Sequence, residues 1–133
     1  MFGPPGHLYV YFIYGVHWCV NVVCDRAGSP GAVLLRALRP LEGLDHMYRR
    51  RPVARRDRDL CNGPAKLAAA MGLDGRHDGL DLGDTGRGIG IEDDGIEPPH
   101  EPACGSRIGV TKGKELRWRW AVSGAVEVSR PAP

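Results

Sequence analysis

The apolar residues gather at the front of the chain. Leu8–Cys24 runs for 17 residues without a formal charge, and Tyr, Val, Phe, Ile and Trp dominate it. These residue types fit strands better than helices. The run is at the lower edge of a membrane span. Gly15 interrupts it, however, and His17 and Asn21 are polar, which argues against an interfacial membrane protein built on this segment. The pattern predicts a β-hairpin, with strands over 8–14 and 16–24 joined at or near Tyr14-Gly15. Strand alternation puts Tyr9, Tyr11 and Ile13 on one side, and Val10, Phe12 and Tyr14 on the other. If the connecting loop has an odd number of residues, Tyr11 and Asn21 face the same side.

Behind the hairpin the periods change. Asp25–Gly31 has turn composition. Ala32–Leu38 (AVLLRAL) reads as a third strand, apolar except for Arg36. From Pro40, the residues Leu41, Leu44, Met47 and Tyr48 recur at helical spacing, and the helix closes on Arg49, Arg50 and Arg51 before Pro52. Basic residues suit the negative end of the helix dipole. Residues 53–60 read as a charged loop. Asn62-Gly63-Pro64 caps a short helix, Pro64–Met71, which ends at Gly72. Residues 73–106 lack periodicity and predict long loops with one short strand at most; loops this long in a small domain hint at function or mobility. Arg107–Val110 and Arg117–Val122 read as closing strands, and the tail from Val128 as frayed.

The 133 residues bound the chain to one domain. Hydrophobic residues at 42% and charged residues at 26% exclude a wholly disordered chain. The net charge of +2 conceals blocks of opposite sign. Residues 36–58 carry eight Arg against three acids, a net of +5. Residues 74–101 carry nine acids against two Arg, a net of −7, and residues 107–130 carry six bases against two acids, a net of +4. Basic stretches attract phosphate backbones, and they also serve simply as solvated surface. The four Cys (19, 24, 61 and 104) form no C-x-x-C pair and have no His at zinc-finger spacing, so no metal site is expected. The start MFGPPGH lacks a basic leader before its apolar run. Reduced thiols in a cytoplasmic protein follow.

Two kinds of work are open to the hairpin residues. Tyr11 suits a packed core, yet an aromatic plane beside the Asn21 amide and the Arg36 guanidinium can also stack on and hydrogen-bond a purine. Arg36 within an apolar strand is costly unless it is paired or functional. Tyr14 is either an ordinary exposed turn residue or a wedge between base pairs. These residues by themselves lead as far as a small β-rich domain able to bind nucleic acid.

At the same positions the chain resembles the alkyladenine (3-methyladenine) DNA glycosylases. The resemblance is carried in order by MFGPPGHLYVYFIYGVHWCVNVVC, AVLLRALRPLEGL, LCNGPAKLAAAMGLD, RIGV and RWRWAVSG, from Met1 to about Arg130. It implies a single α+β domain around a mixed, mainly antiparallel sheet with short helices. It also implies excision of alkylated purines from duplex DNA by nucleotide flipping, a monomer, no cofactor, no metal, no membrane association, and a bacterial-type, DNA-associated setting in the cytoplasm. Tyr14 matches the tyrosine that fills the gap left by the flipped nucleotide. Tyr11 matches an aromatic that stacks on the flipped base, and Asn21 the asparagine that clashes with the amino group of guanine. Arg36 matches a pocket arginine. Val16 and His17 lie where the groove is touched beside the wedge. Arg51 matches a basic residue that contacts phosphate, and Lys66 with the Gly63-Pro64 helix start offers further phosphate contacts, since helix N-termini favour anions.

Two departures accompany the resemblance. After Gly124 the family's small residue, proline and aromatic are replaced by Ala125, Val126 and Glu127. No residue matches the family's catalytic glutamate, which activates water and lies upstream of the segment matched by Met1. Residues 1–133 are therefore expected to be the C-terminal majority of the domain and to be inactive on their own. The alternative is a non-catalytic module that binds damaged DNA.

Overall fold

Core and sheet are built on the hairpin. The computed structural model describes residues 1–130. Strands β1 (Leu8–Ile13) and β2 (His17–Val23) pair antiparallel from Leu8↔Val22 to Ile13↔His17. A three-residue loop, Tyr14–Val16, joins them, so the loop length is odd. The Val16 N–H donates to the Ile13 carbonyl at 3.3 Å. Both central residues of this turn are left-handed, Tyr14 at φ 55° and Gly15 at φ 67°. Paired positive φ values match the right-handed twist of a hairpin. Gly15 meets that demand freely, whereas Tyr14 holds it at a steric cost.

Strand β3 (Ala32–Leu34) pairs with β2 through Asn21↔Leu34, Val22↔Val33 and Val23↔Ala32. It is shorter than the predicted 32–38, although the Leu35 N–H still donates to the Val20 carbonyl at 3.0 Å. The outer edge of β1 is covered at its start. Leu8 exchanges backbone bonds with Leu80 and Gly79, and the Val10 N–H donates to the Asp78 carboxylate at 2.8 Å.

Helix α1 spans Leu44–Arg50 and α3 spans Pro64–Met71. The helix predicted from Pro40 begins only at Leu44, because Gly43 turns left-handed at φ 70°. The predicted loop 53–60 contains a further short helix, α2 (Asp57–Leu60), which buries Leu60. At the end of α3, Gly72 (φ 68°) donates to the carbonyls of Ala68 and Ala69, and the Leu73 N–H returns to Ala68. Such a left-handed glycine closes a helix while satisfying its last carbonyls. At the start of α3 no side chain caps the helix, and the Asn62 side chain accepts instead from Lys66 Nζ at 2.9 Å.

Two apolar clusters result. Leu8, Val10 and Val20 meet Ala68, Leu73 and Leu82 in the first. Leu60, Cys61, Leu67 and Ala70 form the second under α1, and Leu35 packs against both. A second sheet pairs β4 (Ala103–Gly105) antiparallel with β5 (Arg119–Ala121). The strand predicted at Arg107–Val110 is not formed. Gly109 is left-handed at φ 74°, and the Arg107 side chain donates to the carbonyls of Lys112 and Gly113, folding 107–113 into a loop. The partner of β5 is Ala103–Gly105 instead. The architecture is α+β, as expected. Val128 and Arg130 are tied down by backbone contacts rather than frayed, and residues 131–133 of the predicted tail lie outside the described residues.

The acidic stretch is largely turn chemistry. Carboxylates of Asp81, Asp84, Asp93 and Asp94 each accept from the backbone N–H two residues on. This is the local bonding that favours Asp in turns. Leu80, Leu82 and Ile89 from the same stretch close the first cluster.

Candidate nucleic-acid site

The register decides which hairpin side chains meet. Tyr9 pairs with Asn21 and Tyr11 with Cys19, so Tyr11, Cys19 and Asn21 share one face. The opposite face carries Leu8, Val10 and Val20 into the core. Beyond β3, the Leu35–Val20 bond keeps the chain in the sheet for one more residue, and Arg36 follows on the face of Tyr11. Three of the expected pocket residues are thereby gathered on one side of one sheet.

Their environments differ. Asn21 is 5% exposed, and its Nδ2 donates to the Tyr9 carbonyl at 3.1 Å, which fixes the amide's orientation. Tyr11 is half-buried and stacks at a tilt on Tyr9, with ring centroids 5.3 Å apart. Burial pushes the Tyr11 hydroxyl above its usual pKa, with Cys19 adding to the effect, so Tyr11 is neutral at ordinary pH. Arg36 is half-buried and, among the described residues, makes no hydrogen bond or ion pair. Burial lowers its pKa, and the nearby Arg119 lowers it further. A desolvated guanidinium without a carboxylate is open to an anion or to an acceptor on a ligand.

Tyr14 stands at the tip, 77% exposed, with Val16 and His17 exposed beside it. The phosphate contacts expected elsewhere are mostly engaged. Arg51 Nη1 donates to the carbonyls of Asp59 and Leu60, at 2.7 Å for Leu60, and so ties α1 to α2. Lys66 is exposed but bonded to Asn62, beside the half-buried Gly63. In the basic C-terminal block, Arg107, Arg117 and Arg119 all donate to backbone carbonyls. Half of that block's bases therefore hold loops together rather than presenting free charge.

Two buried charged residues carry no mark of their partners in the sequence. Arg119 is 9% exposed, donating from Nε to Ser106 and from Nη1 to Arg130, each at 2.8 Å. Glu127 is 8% exposed and holds Arg39 through two bonds, of 2.8 and 3.3 Å. Among the described residues, no group of three or more His, Cys, Asp or Glu converges, and no helix is long and apolar enough to cross a membrane.

The family model for methylpurine-DNA glycosylase (MPG) matches residues 1–126. A protein of Burkholderia lata named "Putative 3-methyladenine DNA glycosylase" is 56% identical over 131 residues, which are 98% of this chain and 63% of that protein. Proteins of the same name from Burkholderia cenocepacia and Chlorobaculum parvum are 54% and 46% identical, over 100% and 97% of this chain and 64% and 60% of their own lengths. The chain thus spans a little under two thirds of the length of the curated relatives it matches. The resemblance drawn from the hairpin, the AVLLRALRP segment and the CNGPAKL helix is borne out across nearly the whole sequence, and the chain belongs to the methylpurine-DNA glycosylase family.

Proposed function

We propose that this chain reads and wedges the flipped nucleotide in a DNA glycosylase that hydrolyses the N-glycosidic bond of alkylated purines in duplex DNA, as part of base excision repair. One observation carries the reading. Tyr11, Asn21 and an unpartnered Arg36 share a sheet face, and a left-handed, exposed tyrosine stands at the tip of the same hairpin. Tyr11 would stack on the extruded base, and the fixed Asn21 amide would reject the amino group of guanine. Tyr14 would fill the gap in the duplex. Val16 and His17 would follow the groove, and Lys66 and Gly63 at the start of α3 would approach phosphate. Arg51 would add positive potential from its carbonyl-bound position. The partner is double-stranded DNA, and the working unit is a monomer without cofactor or metal.

Hydrolysis also needs a group that takes a proton from water. Among the described residues, the charged groups that act on Arg36 are Arg119 and Arg130, and neither is a carboxylate. The 133 residues alone should therefore bind without releasing base. That same observation favours a second reading, a non-catalytic module that recognises damaged DNA. Methylated duplex, incubated with the chain and assayed for free base, tests both. Binding that prefers methylated over unmodified duplex, with no release, is expected. Release by this chain would overturn the claim that it lacks the base. Absence of any preference would overturn the reading itself. Affinity should fall steeply with salt, and Asn21→Ser should relax discrimination against guanine.

A further inference from the structure

The C-terminal segment reaches the site from the far end of the sequence. Glu127 lies 88 positions from Arg39, and the two form a bidentate pair. Arg39 follows Arg36 by three residues as the chain leaves β3. On the other side of the same segment, the Arg130 carbonyl accepts from Arg119 Nη1. A continuous path of contacts therefore runs from Arg39 through residues 127–130 to Arg119. Arg119 is almost fully buried, and a buried guanidinium needs hydrogen-bond acceptors. Two backbone carbonyls solvate it, and one of them belongs to the latched segment.

We propose that the Arg39–Glu127 pair is a latch that ties the chain just beyond Arg36 to residues 127–130 and thereby fixes the direction of the Arg36 side chain. Arg39, Glu127 and Arg119 are positioning residues; Arg36 is the group that meets the ligand, and this step rests on the function proposed above. With the latch closed, the chain beyond Arg36 is held between the sheet bond at Leu35 and the Arg39–Glu127 pair, and the Arg36 side chain keeps its direction on the Tyr11 face. With it open, the segment carrying the Arg130 carbonyl loosens, Arg119 loses one of its two acceptors, and Arg36 loses its fixed direction. The purine-reading face would then keep its shape and lose its oriented donor.

The test is a double-mutant cycle in the 133-residue chain, using Arg39→Gln, Glu127→Gln and both together. Competition between methylated and unmodified duplex is the readout. Each single change should cut the preference for methylated duplex about tenfold while leaving affinity for unmodified duplex within about twofold. The pair together should lose no more than either alone, because a shared contact is broken only once. Singles that keep the full preference, or losses that multiply to about a hundredfold, would overturn the latch. Glu127→Asp, with the charge kept and the reach shortened, should lie between wild type and Glu127→Gln. Amide exchange over Arg119–Arg130 gives an answer without DNA. It should quicken in Glu127→Gln and not quicken further in the double variant, and unchanged exchange would overturn the latch. If wild type shows no preference for methylated duplex, the functional reading falls while the exchange experiment still judges the latch.

Discussion

On one face of the β1–β2 hairpin, Leu8, Val10 and Val20 pack against Ala68 and Leu73; on the other, Tyr11, Cys19 and Asn21 lie with Arg36. Strands and register are common to both faces. The first face is satisfied internally, by apolar contact alone. The second ends in groups with unused capacity: an oriented amide, an aromatic plane and a guanidinium with no counterion among the described residues. One face gains its stability from burial, whereas the other holds polar groups at a folding cost because the hairpin's pairing fixes them there. Changes on the two faces should accordingly separate stability from recognition.

The largest effect is expected on the apolar face. Leu8→Ala removes a buried side chain and leaves a cavity in the first apolar cluster, at a cost of about 3 kcal/mol. The urea midpoint should fall with its slope unchanged, and at protein concentrations where the variant stays folded its preference for methylated duplex should survive. A variant that lost preference as much as stability would break the separation of faces.

Arg36→Met tests the other face. Removing an unpartnered, partly desolvated charge should leave stability unchanged or raise it slightly. Preference for methylated duplex should nonetheless drop about tenfold, the effect of one charge-assisted contact. A clear loss of stability would mean that Arg36 serves the fold.

Tyr14→Gly sharpens the contrast at the turn itself. The left-handed backbone at φ 55° costs a tyrosine about 1 kcal/mol and a glycine almost nothing. The variant should melt higher and bind methylated sites more weakly, with binding to unmodified duplex little changed. A tyrosine kept where glycine is more stable marks a position held for something other than folding. Unchanged discrimination would return Tyr14 to the ordinary turn residues.

The hairpin was legible because its signals agree: β-branched and aromatic residues, a Tyr-Gly turn, and alternation that needed only the loop's parity to set the face. Helix α3 was legible for the same reason, with Pro64 at its start and Gly72 at its end. Helix α1 begins four residues later than the apolar period predicts, because Leu41 keeps the helical period while Gly43 breaks the backbone. The missing strand at Arg107–Val110 shows the limit of composition, since one arginine bonding two carbonyls outweighs a strand-like run of four residues. The acidic stretch was legible only as loop; that its carboxylates cap turns at 81–86 and 93–96 emerges from the backbone bonds they accept. Arg39, Arg119 and Glu127 were invisible as a set, because residues far apart in the chain carry no local mark of their pairing.

The smallest effect concerns the turn that braces the apolar face. The Asp74 carboxylate accepts from the Arg76 backbone N–H at 3.0 Å and from its guanidinium at 2.8 Å, capping the tight turn Gly75–His77. Gly75 sits so close to Trp18 that an added Cβ would lie 2.8 Å from the ring, so the cap helps seat the turn against the hairpin. The Arg76 contacts lower the Asp74 pKa from 3.8 to about 2. A depressed carboxylate contributes stability that is complete above its unfolded pKa and disappears as pH falls through the folded value. Asp74 should therefore lose its contribution between about pH 4 and pH 2. Asp25, Asp59 and Glu127 are lowered as well, each by a hydrogen-bonded neighbour, so the wild-type acid profile sums several groups. The difference between wild type and Asp74→Asn isolates one of them. Urea unfolding followed from pH 5 to pH 2 should show a shallower fall for the variant and a gap that closes at the acid end. Because Asp74 is solvent-exposed on its Arg76 side, the gap at neutral pH should be small. A gap that stayed constant with pH would mean that the cap acts through geometry alone. A gap that closed while the methylated-duplex preference at neutral pH stayed intact would locate the titration on the apolar side of the hairpin and leave the reading face untouched.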